Sequence, residues 1–163
     1  MSTGALARPL TYEEERGKPV PSFNHGAIQA NLIGEFIRQR EFRICSELSL
    51  ELGGEPFTPD LSIYRRGPLD LRHDTLRATD PPLLAVEILS PTTAKRDRGI
   101  KLKAYARFGV KEYWIIDPAA QAVEVHRLSS GGYELAGTFD LDDTLSSALL
   151  PGFEIEVASI FAL

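Results

Sequence analysis

A chain of 163 residues with 43% apolar residues, 25% charged residues and a net charge of −5 has the balance of an ordinary globular protein, and its acidity argues against generic coating of nucleic acid. The length suits a single domain over 1–163, burying roughly two thirds of its unfolded surface, and no apolar run approaches the roughly 20 residues of a membrane helix. Cys45 is the sole cysteine, which rules out an internal disulfide or a cysteine-based zinc site and makes a reduced cytoplasmic setting the simplest expectation.

In chain order, residues 1–20 read as an N-terminal extension without the apolar core of a signal peptide. Asn24 is placed to cap a helix from about His25 to Arg40. "FRICSELSLEL" alternates as a strand or hairpin arm, and "TPDLSIYRR" gives a short strand ending in basic residues. Residues 67 to 82, with a Gly, three Pro and mixed charges, read as a surface loop. "LLAVEILSP", residues 83–91, reads as a strand covered on both faces. A helix from about Thr93 to Phe108 follows, stopped by Gly109. "KEYWIIDP" is another strand, "QAVEVHRL" and "GGYELAGTF" form a terminal hairpin or meander, and "LLPGFEIEVASIFAL" ends in a strand and a closing turn. That order predicts an α/β fold with a mixed sheet.

Glu87 is the anomaly in this pattern. A carboxylate in a strand buried on both faces costs several kcal/mol unless a partner stabilises its charge. On a wheel of the following helix, with Ile100 at 0°, Ala104 falls near 40°, Phe108 near 80° and Lys101 near 100°, inside the apolar arc. Arg96, Lys103 and Arg107 cluster on the polar side. Lys101 therefore either meets Glu87, snorkels outward, or pairs locally with Asp97 four residues earlier. Upstream, Asp60 follows Pro59 at the start of an extended segment. If the two strands are neighbours, Asp60 and Glu87 converge into a hard oxygen site suited to a magnesium-type ion; otherwise Asp60 is an Asx-turn residue.

In the first helix, His25 and Gln29 share the arc of Ile28, Leu32 and Phe36, which also suits a plain core histidine. Residues 60–111 hold 11 Lys/Arg against 6 Asp/Glu, whereas the remainder holds 7 against 17. Such a basic centre either focuses an anion such as a phosphate backbone or is a set of solvated charges. Other chemistries lack their motifs. His25, His73 and His126 have no metal-ligand spacing, the "GG" pairs at 53–54 and 131–132 read as turns, and Ser90 lacks a nucleophile elbow. Tyr113 and Trp114 read as strand neighbours before base-stacking platforms.

The "PD" at 59–60 and "AVEILSPTTAKRDRGIKLKAYARFGVKEYWIIDPAAQAVEVHRL" at 85–128 resemble the Uma-type restriction endonuclease family of the PD-(D/E)XK nuclease superfamily. The likeness spans roughly residues 20 to 160. It implies a restriction-endonuclease-like mixed central sheet flanked by helices. It implies that Asp60, Glu87 and the carbonyl of Ile88 bind Mg2+ or Mn2+ for phosphodiester hydrolysis, with DNA as substrate and a homodimer to cut both strands. Leu89 stands where the superfamily motif has lysine, so Lys101 is the expected substitute and Lys103 the runner-up. His25 and Gln29 would support the metal or its waters, with Glu35 as an alternative. Arg65, Arg66, Lys95, Arg96 and Arg98 would position the nucleic-acid backbone. Two other functions fit the same residues: a catalytically silent binding domain, and a small-molecule hydrolase with the same two carboxylates.

Overall fold

The computed structural model describes residues 21–52, 55–67 and 77–163. The expected N-terminal extension, His73 and the Gly53–Gly54 turn lie outside these residues. Helix α1 spans Phe23–Ile37. It is capped by Ser22, whose hydroxyl accepts the His25 amide at 3.2 Å, rather than by Asn24, and it ends three residues short of Arg40. It buries Ile28, Leu32 and Phe36, the i, i+4, i+8 row expected of a core-facing stripe.

The segment read as one strand or hairpin arm divides into β1 (Phe42–Ser46) and β2 (Ser49–Leu52), with Glu47 at φ 55° between them. β2 leaves the main sheet to pair with β3 (Glu55–Phe57) and in parallel with β5 (Arg77–Ala78). The expected loop at 67–82 therefore contains a short strand. The main sheet adds β4 (Leu61–Arg65), β6 (Leu84–Ile88), β7 (Glu112–Asp117), β8 (Ala122–Ser129) and β9 (Gly132–Phe139). Its order is β1-β4-β6-β7-β8-β9, antiparallel throughout except for the β6–β7 pair.

That parallel pair requires a crossover, supplied by helix α2 over residues 94–108. Gly109 ends α2 in the left-handed conformation at φ 86°, as the sequence predicted. The middle of α2, Asp97–Lys101, is π-helical. The wider turn displaces Ile100 from its place on a regular 100° wheel. Ile100, expected at the centre of the apolar arc, is 61% exposed, while Asp97 and Lys101 point inward.

Strand alternation sends Leu84, Val86 and Ile88 to one face of the sheet. There they pack with α1, Trp114 and the C-terminal elements β10 (Thr144–Ser146), β11 (Glu154–Glu156) and α3 (Val157–Ile160). Ala85 and Leu89 face the other side, with Tyr105, Tyr113 and Ile115 beneath α2. Glu87 shares their parity and so points at α2. Tyr113 and Trp114 are fully buried, each in one of these two cores. Among the described residues no helix is long and apolar enough to cross a membrane.

Candidate functional site

β4 and β6 run antiparallel with Leu61 opposite Val86, so Asp60 and Glu87 face each other one rung further along. Asp60 is 2% exposed, and its Oδ2 accepts the Ile88 amide at 2.7 Å. His25 brings Nε2 to 3.3 Å from the same oxygen, and the Gln29 side-chain amide donates to the Asp60 carbonyl at 3.0 Å. The α1 stripe that carries Ile28 and Leu32 into the core thus also carries His25 and Gln29 to this end of the sheet.

Glu87, also 2% exposed, receives two donors on Oε1: Lys101 Nζ at 2.9 Å and the Tyr105 hydroxyl at 2.9 Å. Lys101 and Tyr105 are four residues apart on α2, the spacing at which helical side chains reach one point. Oε2 takes no hydrogen bond from the described residues. Lys101 Nζ also lies 2.8 Å from Asp97 Oδ1, and Asp97 is 1% exposed. Two buried carboxylates therefore share one ammonium, and Asp60 faces Glu87 across the β4–β6 pair.

The electrostatics follow from that ratio. Burial pushes the Glu87 carboxyl up to about 8; the Lys101 charge opposes the shift, and the charges of Asp60 and Asp97 add to it. Burial also disfavours the Lys101 ammonium, but Glu87 and Asp97 outweigh it and hold its pKa above the ordinary lysine value. The two directions agree because Lys101 faces two carboxylates, whereas Glu87 faces one ammonium and two like charges. Burial and the Glu87 charge raise Tyr105 well above the usual phenol, so it stays a neutral donor.

These groups open on a pocket of about 720 Å3, lined by Asp60, Glu87, Ile88, Asp97 and Lys101 and by the N-terminus of α1. The donor set fits a hard divalent cation: two carboxylates from adjacent strands, one oxygen of Glu87 open, and an excess of negative charge. Among the described residues no group of three or more His, Cys, Asp or Glu side chains is arranged to hold a metal by itself.

Other expected residues are dispersed. Arg98 lines the pocket, but its guanidinium is clamped by Asp117 at 3.0 Å and Glu124 at 2.6 Å. Lys95 and Arg96 are exposed at the start of α2, with Arg96 5.9 Å above the Phe57 ring. Arg65 and Arg66 lie at the opposite end of β4 from Asp60, roughly 15 Å along the strand. Lys103 is exposed, and Glu35 pairs with Arg38 at 3.4 Å, outside the pocket. Ser90 bonds the hydroxyls of Thr92 and Thr93.

Asp97 and Tyr105 are site residues that the sequence reading passed over. A regular wheel does put Asp97 at about 60°, within the apolar arc beside Lys101, and that was the available signal.

A family model described as "Uma2: Putative restriction endonuclease" matches residues 12–158. A crystal structure of "a putative nuclease belonging to DUF820" from Anabaena variabilis ATCC 29413 superposes with a TM-score of 0.71 at 24% identity, covering 88% of this chain and 83% of that one. At that identity the likeness shows a shared fold. Among curated proteins none matches the chain.

Proposed function

The chain belongs to the Uma2 family, and from that premise we propose that it is a metal-dependent nuclease whose site is built on Asp60, Glu87 and Lys101. What most supports this reading is the meeting of Asp60 and Glu87 at one pocket, beside an ammonium that Glu87 shares with the buried Asp97. Asp60 and the open Oε2 of Glu87 would hold Mg2+ or Mn2+, with the Ile88 carbonyl as a further ligand. When bound, such an ion polarises a phosphoryl oxygen and lowers the pKa of a coordinated water.

The chain's own groups do the rest. Tyr105 and Lys101 fix Glu87 by Oε1, so its orientation costs little to maintain when substrate arrives. His25 and Gln29 steady Asp60 through its side chain and its carbonyl. Lys101 presents a positive charge to the phosphoryl oxygens as negative charge accumulates on them. The N-terminus of α1, with the positive end of its dipole, favours a phosphate on the same side of the pocket. Lys95 and Arg96 would contact backbone phosphates, as would Arg98 if released from Asp117 and Glu124; such contacts fix register without reading sequence. Arg65 and Arg66, distant from the pocket, would touch only a long substrate. DNA is the proposed substrate, and two copies of the chain would be needed to cut both strands.

The test is incubation of supercoiled plasmid with the protein and Mg2+ or Mn2+, beside Asp60→Ala and Glu87→Ala. We expect nicking or linearisation by the wild type and loss of about 100-fold or more in each variant. Cleavage that persists in both variants would assign the activity elsewhere.

A further inference from the structure

We propose that Asp97 is the positioning residue of this site: it retains the Lys101 ammonium in the pocket when Glu87 turns to a divalent cation. This rests on the metal-site reading above. Lys101 Nζ stands between two carboxylates, 2.9 Å from Glu87 and 2.8 Å from Asp97. Glu87 has a second donor on the same oxygen in Tyr105, so it does not need the lysine to stay oriented. Asp97 has no such reserve. Neither of its oxygens accepts a well-formed hydrogen bond, and within 4 Å Lys101 is its only cation among the described residues.

A buried carboxylate so poorly supplied does little for the fold. Asp117, in contrast, caps the Ala119 and Ala120 amides and binds Arg98. Holding Asp97 at 1% exposure adds a third negative charge to a site that has one ammonium, which is unfavourable unless another cation joins. The π-helical turn Asp97–Lys101 brings both residues inward together. Such turns, which interrupt regular helix hydrogen bonding, recur at functional positions.

The consequence is a hand-over. A cation drawing on Glu87 and Asp60 weakens the hold of Glu87 on Lys101. Tyr105 keeps Oε1 in place, and Asp97 keeps the ammonium close enough to face the phosphate. Without Asp97 the ammonium has only Glu87 to pair with, and it competes with the incoming ion.

Mn2+ titration by calorimetry on the full chain separates these roles without any substrate. The series is wild type, D60A, D97N, K101M and D97N/K101M. D60A should weaken Mn2+ binding tenfold or more, which locates the ion. D97N should weaken it by about tenfold when Lys101 is present, and by no more than about twofold in the K101M background. If D97N does not fold, D97E, which keeps the charge but displaces it, should show the same dependence on Lys101 with a smaller loss. An equal loss in both backgrounds would make Asp97 a direct ligand or a general source of field and overturn the positioning role. A lowered Tm with unchanged Mn2+ affinity would make it structural. No Mn2+ binding by the wild type, or binding indifferent to D60A, would remove the metal site itself and the proposal with it.

Discussion

Glu87 and Glu112 sit on the adjacent parallel strands β6 and β7, at 2% and 1% exposure, and end in opposite situations. Glu112 lies three rungs away, with its side chain on the Trp114 side of the sheet. The Ser147 hydroxyl donates to one of its oxygens and the Trp114 indole to the other at 3.3 Å, with Arg127 4.0 Å away at the surface. It lines no part of the pocket. Among the described residues Glu87 has one cation, which it shares with Asp97; it also faces Asp60 and has one oxygen without a hydrogen bond. Burial of a carboxylate is thus no sign of chemistry in itself. The distinction is whether its oxygens are spent on neutral donors in a closed core or left with excess like charge beside a cavity.

Substitution sharpens the contrast, beginning with its largest effect. Glu87→Ala should abolish metal-dependent cleavage while far-ultraviolet circular dichroism stays native, whereas Glu112→Gln should leave cleavage within about twofold. Equal loss in the two variants would erase the difference between the sites. Next comes Lys101→Met, which strands Glu87 and Asp97 without a counter-charge. It should cost about 3–5 kcal/mol in urea unfolding, the usual penalty for removing one partner of a buried pair, and added Mn2+ should recover part of it.

The third effect is on pH. The Glu87 pKa is raised in the fold, to about 8 from an ordinary 4.5, so the native state holds its proton more tightly than the unfolded chain. Stability of the metal-free protein should therefore be greatest below about pH 4.5 as far as this group is concerned, and fall as pH rises towards 8. Glu87→Gln should flatten that decline, and a variant profile as steep as the wild type's would place its origin in other groups. Glu112 offers the smallest effect: Ser147→Ala leaves one of its oxygens without a donor and should cost about 1–3 kcal/mol with cleavage unaltered. A change in cleavage there would mean that the two ends of the sheet are coupled.

Much of this was legible in the residues because strand parity and charge are local properties. The unbroken apolar neighbours of Glu87 announced a doubly covered strand, and Lys101 stood out as a cation within an apolar arc. Pro59 marked the strand entry that puts Asp60 at the sheet's end. Gly109 marked the helix stop, and the β8–β9 hairpin was visible as two alternating runs around a glycine pair. What escaped depended on geometry that spacing does not encode. A regular wheel has no place for a π turn and so puts Ile100 inside, whereas Asp97, which the same wheel does place in the apolar arc, reads from its i, i+4 spacing as no more than a local partner of Lys101. Ser22 rather than Asn24 caps α1, since both residue types cap equally well and only the chain's entry angle decides. The departure of β2 into a second sheet follows from a left-handed Glu47, a residue with no intrinsic preference for that conformation. Basic residues that are neighbours in sequence need not be neighbours in space, and the length of a strand separates Arg65 and Arg66 from the pocket.

The most direct measurement is the anomalous signal of a crystal soaked in Mn2+ near pH 8. We expect a single strong peak in contact with the free oxygen of Glu87 and with Asp60, and Lys101 withdrawn from the glutamate but still against Asp97. An empty pocket at high Mn2+, or a peak bound elsewhere with the Lys101–Glu87 pair intact, would contradict it.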